Sequence, residues 1–127
     1  MFDGVTVNAT GLAFELKNGV VNNCKITLNP GQYVYSIDGA GVIASDNGEV
    51  TVNNTTITVS GENYGVVVAP TGGVVNVNNC TINAANKYFV HDQYAGKKGT
   101  IKENGTVVAV KPVVTTEAAL CEALTAG

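Results

Sequence analysis

The chain of 127 residues has no arginine, and only 13% of its residues are charged, about half the usual quarter. Seven lysines face ten acids, for a formal net charge of −3. No basic stripe is available to displace counterions from phosphates, which excludes a nucleic-acid binder. Electrostatic docking on an anionic membrane is excluded for the same reason. There is no run of eighteen apolar residues that could span a bilayer as a helix. The opening "MFDGVTVN" lacks the basic and apolar regions of a secretory signal. Both ends cut the strand pattern, so the chain is expected to be a piece of a longer protein.

Metal-ligand patterns are missing too. The three cysteines form no CxxC and no Cys/His cluster, so zinc is not indicated. Histidine occurs once, and the aspartates Asp3, Asp38, Asp46 and Asp92 are scattered. No cofactor is implied.

Asn, Thr, Gly and Val fill the space left by charge. Val and Thr suit strands, while Gly and Asn supply turns with unusual backbone angles. The composition therefore indicates an all-β domain.

The order of these residues is more telling than their number. Aligned on an Asn pair, four segments read "VVNNCKITL" (20–28), "TVNNTTITV" (51–59), "NVNNCTINA" (76–84) and "KENGTVVAV" (102–110). The pairs are Asn22-Asn23, Asn53-Asn54, Asn78-Asn79 and Asn104-Gly105, at spacings of 31, 25 and 26 residues. "TVNATGLAF" (6–14) reads as a shortened fifth copy. A strand precedes each pair and another follows it. A third block comes later, as "YVYSI" (33–37), "YGVVV" (64–68) and "YFVHD" (88–92). Three short strands per period of about 25 residues describe a triangular coil, stacked on its neighbours at about 4.8 Å.

Stacking makes equivalent positions into columns. Ile26, Ile57, Ile82 and Val108 form an expected apolar column, Cys24, Thr55, Cys80 and Thr106 a small-residue one, and Tyr33, Tyr64 and Tyr88 an aromatic one. The corner between two strands needs left-handed backbone angles, which Asn and Gly tolerate best. Asn22, Asn23, Asn53, Asn54, Asn78, Asn79 and Asn104 are thus expected to form a structural ladder, bonded along the axis. Cys24 and Cys80 lie two coils apart, about 9.6 Å by the strand spacing, beyond the roughly 7 Å a disulfide allows. They are expected to be buried free thiols.

This pattern resembles the right-handed parallel β-helix of the pectate-lyase-like superfamily, and most of all the coils of bacterial surface proteins and of phage tail and fibre proteins. The resemblance implies about four coils over residues 1–112. A capping helix is expected over residues 113–127, where "TTEAALCEALTAG" (115–127) has an N-cap threonine and apolar Leu120, Cys121 and Leu124. Enzymes of the superfamily use clustered acids, with calcium and commonly an arginine in the lyases. This chain departs from them at those positions, so no catalytic residue is assigned.

The single concentration of titratable groups is "KYFVHDQYAGKKG" (87–99), where His91, Tyr94, Lys97 and Lys98 are the candidate ligand-binding residues. Tyr88, Asp92 and Lys98 are the expected neighbours of His91. The functional expectation is a non-catalytic structural or adhesive module of a bacterial adhesin or a phage fibre. It would lie at an extracellular, cell-surface or virion location and contact surface polysaccharide. Its neighbours would be further β-helix segments or copies in a trimer. The alternative is a fragment of a polysaccharide lyase or glycoside hydrolase.

Overall fold

The computed structural model describes residues 1–29, 32–33, 37–61, 63–93 and 96–111. These residues form sixteen strands, and no helix occurs among them. The expected helix over 113–127 lies outside the described residues.

The chain visits three sheets in rotation. The first coil is β1 (Phe2–Asp3), β2 (Thr6–Thr10) and β3 (Leu12–Leu16). The second is β4 (Gly19–Asn22), β5 (Lys25–Asn29), a small pair β6 (Gln32–Tyr33) and β7 (Ile37–Asp38), then β8 (Ala40–Ala44). The third is β9 (Gly48–Asn53), β10 (Thr56–Val59) and β11 (Tyr64–Val68), and the fourth β12 (Gly73–Asn78), β13 (Thr81–Asn83) and β14 (Asn86–Val90). β15 (Gly99–Glu103) opens a fifth coil, and β16 (Thr106–Lys111) follows.

Sheet A has the order β1-β4-β9-β12-β15-β16, sheet B β13-β10-β5-β2 and sheet C β14-β11-β8-β3. Every pairing in sheets B and C is parallel, and so are those of sheet A up to β15. The arrangement is all-β with parallel strands in stacked sheets, consistent with a parallel β-solenoid.

Alternation within each strand builds the core. Val21, Val50, Val52, Val75, Val77 and Ile101 enter from sheet A, Ile26, Ile57 and Ile82 from sheet B, and Phe14, Val42, Val66 and Val68 from sheet C. Complete burial of one such side chain contributes roughly 1.5–3 kcal/mol. The registers Ile57↔Ile26 and Ile57↔Ile82 put three isoleucines in one column. Val7, beside Ile26, is the fourth member. Val108 is not in it, because β16 turns back antiparallel on β15.

That reversal corrects the last copy of the repeat. Asn104 and Gly105 have consecutive positive φ angles, 49° and 85°, the signature of a two-residue type I′ hairpin. Thr106 is therefore carried away from the Cys24–Thr55–Cys80 column.

The first copy needs correction as well. Residues 6–10 pair with 25–29, so they belong to sheet B and contain no corner. The first corner is Asp3-Gly4: Asp3 pairs with Asn22, and Gly4 (φ 70°) donates its N–H to the Asn22 carbonyl at 3.0 Å.

The aromatic column is replaced also. Tyr64 stands between Ala40 and Asn86, and Tyr88 is level with Val66. Tyr33 belongs to the antiparallel β6–β7 pair, which accounts for the long second coil. The sheet C strand of that coil is β8.

Candidate functional site

Polar chemistry gathers at two places, the Asn corners and the end of the fourth coil. At the corners, Asn22, Asn53 and Asn78 close their strands, and Asn23 (φ 53°), Asn54 (φ 49°) and Asn79 (φ 53°) take the left-handed turn. Asn23 N–H donates to the Asn53 carbonyl at 3.0 Å and Asn54 N–H to the Asn78 carbonyl at 2.9 Å. Side chains extend the ladder: Asn78 Nδ2 donates to Asn53 Oδ1 at 3.0 Å, and Asn23 Nδ2 to Asp3 Oδ1 at 3.2 Å. Asn104 accepts from Asn79 N–H through Oδ1 at 2.9 Å, although its own turn is a hairpin.

The residue after each Asn-Asn corner clamps it. Thr55 Oγ1 donates to the Asn53 carbonyl at 2.9 Å and accepts from Cys24 N–H at 3.3 Å. Cys24 Sγ and Cys80 Sγ lie 3.2 and 3.4 Å from the carbonyls of Asn22 and Asn78, so their thiols take the same place more weakly. Both thiols are free, with Cys24 buried and Cys80 half-buried. Burial pushes the Cys80 pKa up.

At the end of the fourth coil, strand alternation separates residues that are adjacent in sequence. Tyr88 shares the inward register of Val66 and packs on the core. Its hydroxyl donates to Glu103 Oε2 at 2.8 Å. Burial first, then this bond and the Glu103 charge, raise the phenol pKa. Glu103 is level with the buried Val77, so the Tyr88–Glu103 pair sits over the end of the core.

Phe89 and His91 alternate to the opposite face. Phe89 stacks on Tyr64 of the preceding coil, ring centres 4.9 Å apart, and His91 meets Phe89 edge-on at 5.7 Å. Ile43 and Val67, fully buried, form a separate apolar cluster below them. His91 N–H donates to the Val68 carbonyl at 3.0 Å. Its Nδ1 lies 3.2 Å from the Asp92 carbonyl, a hydrogen bond when Nδ1 carries the proton. Gln93 Nε2 donates to the carbonyls of His91 and Ala69 at 2.7 and 2.9 Å, which ties the loop to the third coil.

The expected neighbours of His91 are thus only partly present. Tyr88 faces away from it, and Asp92 approaches it through the backbone. Lys98 instead lines a groove on sheet A with Thr100 and Lys102. Lys97 is half-buried and Tyr94 lies outside the described residues. The Tyr64–Phe89–His91 column was hidden from sequence because Tyr64 and Tyr88 invite alignment with each other. Lys102 was missed too. Aligning the glycines Gly48, Gly73 and Gly99, which share one register, brings it level with Asn76 and points to the groove.

Among the described residues no group of three or more His, Cys, Asp or Glu side chains is gathered as for a metal ion. No helix among them is long and apolar enough to cross a membrane. The fold and its corners define a repeat protein of stacked parallel sheets. Comparison with known protein families, curated sequences and solved structures finds no match.

Proposed function

We propose that the chain is a right-handed parallel β-helix module of the pectate-lyase-like kind, serving as a rigid, non-catalytic element of a surface-exposed protein. The observation that supports this reading is the use of the corner residues. Asn, Thr and Cys side chains are directed at carbonyls and amides of their own or adjacent coils, where they fix register. The host is a bacterial adhesin or a phage fibre, placed at a cell surface, in the extracellular space or on a virion. Its neighbours are further coils or copies in a trimer.

Surface polysaccharide is the proposed contact of the Tyr64–Phe89–His91 face, together with Tyr94 and Lys97 of the segment that follows it. Tyr64 and Phe89 cover each other's faces, so a sugar meets ring edges and polar groups, an arrangement that gives shallow binding. A glycan array with the His91→Ala variant tests the contact, and light scattering tests the assembly. Ultraviolet absorbance of unsaturated products and reducing-end release on pectin, alginate and capsule polysaccharides test the chemistry. Sustained turnover that disappears in His91→Ala would replace this reading by the lyase or hydrolase one.

A further inference from the structure

The last strand of sheet A has a different chemistry. β16 is hydrogen-bonded to β15 on one side, and no described strand is hydrogen-bonded to its other edge, which leaves a row of backbone N–H and C=O groups unpaired by any described strand. Val107, Val108 and Val110 are 49%, 44% and 48% exposed. The register shifts between Ile101, level with Ala109, and Lys102, level with Val107, so Val108 is the extra residue of a bulge in β16 itself.

Next to this edge, on the outer face of the sheet, a groove of about 430 Å³ is lined in part by Val74, Lys98, Thr100, Lys102, Val107 and Val110. Neither lysine ammonium has a carboxylate partner among the described residues. Two cations with no carboxylate partner among the described residues stand beside an exposed apolar strand, in a chain with more acids than bases.

We propose that this edge is a docking site for an extended acidic peptide, which adds to β16 as a further strand. A strand matches the alternating donors and acceptors of another strand, and its side chains fall at a period of two. Alternate apolar side chains then cover Val107 and Val110, while glutamates or aspartates on the same segment reach Lys98 and Lys102. Charge decides between occupants. A second copy joined edge to edge brings the same lysine-bearing face against itself, and like charges in register are destabilising. An acidic segment reverses that sign.

The test uses the full chain and a fluorescein-labelled nine-residue peptide of alternating Thr and Val carrying three glutamates. Binding is followed by anisotropy. The expected result is saturable binding that weakens about tenfold in the Lys98→Glu, Lys102→Glu double variant. It also weakens at high salt, and is lost when alternate peptide amides are N-methylated. Circular dichroism confirms that the double variant folds. Equal binding by the lysine version of the peptide overturns the charge assignment, and binding by the N-methylated peptide overturns strand addition. Binding that appears only after removal of residues 112–127 assigns the edge to the chain's own tail and also overturns the proposal.

Discussion

Asn53-Asn54 and Asn104-Gly105 look like two copies of one device, yet the chain goes forward after the first and back after the second. At the corner only Asn54 is left-handed, with φ 49°, and the next residue re-enters the extended region as β10 begins. One such residue bends the path into the next sheet. At Asn104-Gly105 both residues are left-handed, and two in succession reverse a strand onto its neighbour. The difference rests on the residue that follows the first left-handed one. Thr55 and Cys80 have a Cβ that disfavours positive φ and a donor that clamps the turn, whereas Gly105 has neither and nothing within 4 Å of where a Cβ would sit.

The comparison breaks most visibly at the corner. Asn54→Val places a β-branched side chain at φ 49° and should cost roughly 1–3 kcal/mol of global stability, read from the urea midpoint. Asn54→Gly should cost less than half of that. Equal midpoints for the two variants would show that the corner does not depend on backbone angle.

Thr55→Val comes next. It keeps the shape but removes the clamp, taking the acceptor from the Cys24 N–H and leaving the Asn53 carbonyl with the Asn23 N–H. About 1–2 kcal/mol of destabilisation is expected, and Thr55→Cys should recover part of it, since Cys24 and Cys80 hold this place in the adjacent coils.

Gly105→Val is a strained change at an exposed turn, and its effect should stay local. Amide exchange should accelerate in β16 while β9 and β12 keep their protection. A drop in global stability as large as that of Asn54→Val would make the hairpin part of the solenoid's cooperative core.

The smallest effect is alkaline. The folded Tyr88 pKa is raised, so its contribution is full below the ordinary phenol value of about 10 and declines as pH rises beyond it. The Cys80 pKa is raised in the same sense, and its contribution declines above its ordinary value of 9.0. Tyr88→Phe should therefore lose less stability than the parent between neutral pH and strongly alkaline pH. Parallel pH curves for the two proteins would place the Tyr88–Glu103 bond outside the folding equilibrium.

The repeat was legible because Asn-Asn marks three corners and isoleucine follows at a fixed offset. Those residues gave the column of Ile26, Ile57 and Ile82 and the neighbouring set of Cys24, Thr55 and Cys80. Asp3-Gly4 escaped notice because it meets the same backbone demand with different letters. Tyr64 and Tyr88 misled because position within a strand, set by the corner before it, is invisible when the linking loops differ in length. Of the ligand candidates, His91 and Lys98 are adjacent in sequence to the same loop, but the turn into sheet A sends them to different surfaces. The spacing from Gly99 puts Lys102 level with Asn76, but only the pairing of β15 with β16 brings it beside Val107.

The strand-pairing bonds of the three parallel sheets run from one coil to the next, along the axis, while within a coil the strands of different sheets are joined by the chain, the corner clamps and the packed core. Tension along that axis loads all three sheets of one layer together, so detachment of a coil is a single event and not a gradual stretch. A layer in the middle, such as that of β9, β10 and β11, is clasped on both sides. The mechanical strength of such a rod is therefore set by its weakest layer and does not grow with its length.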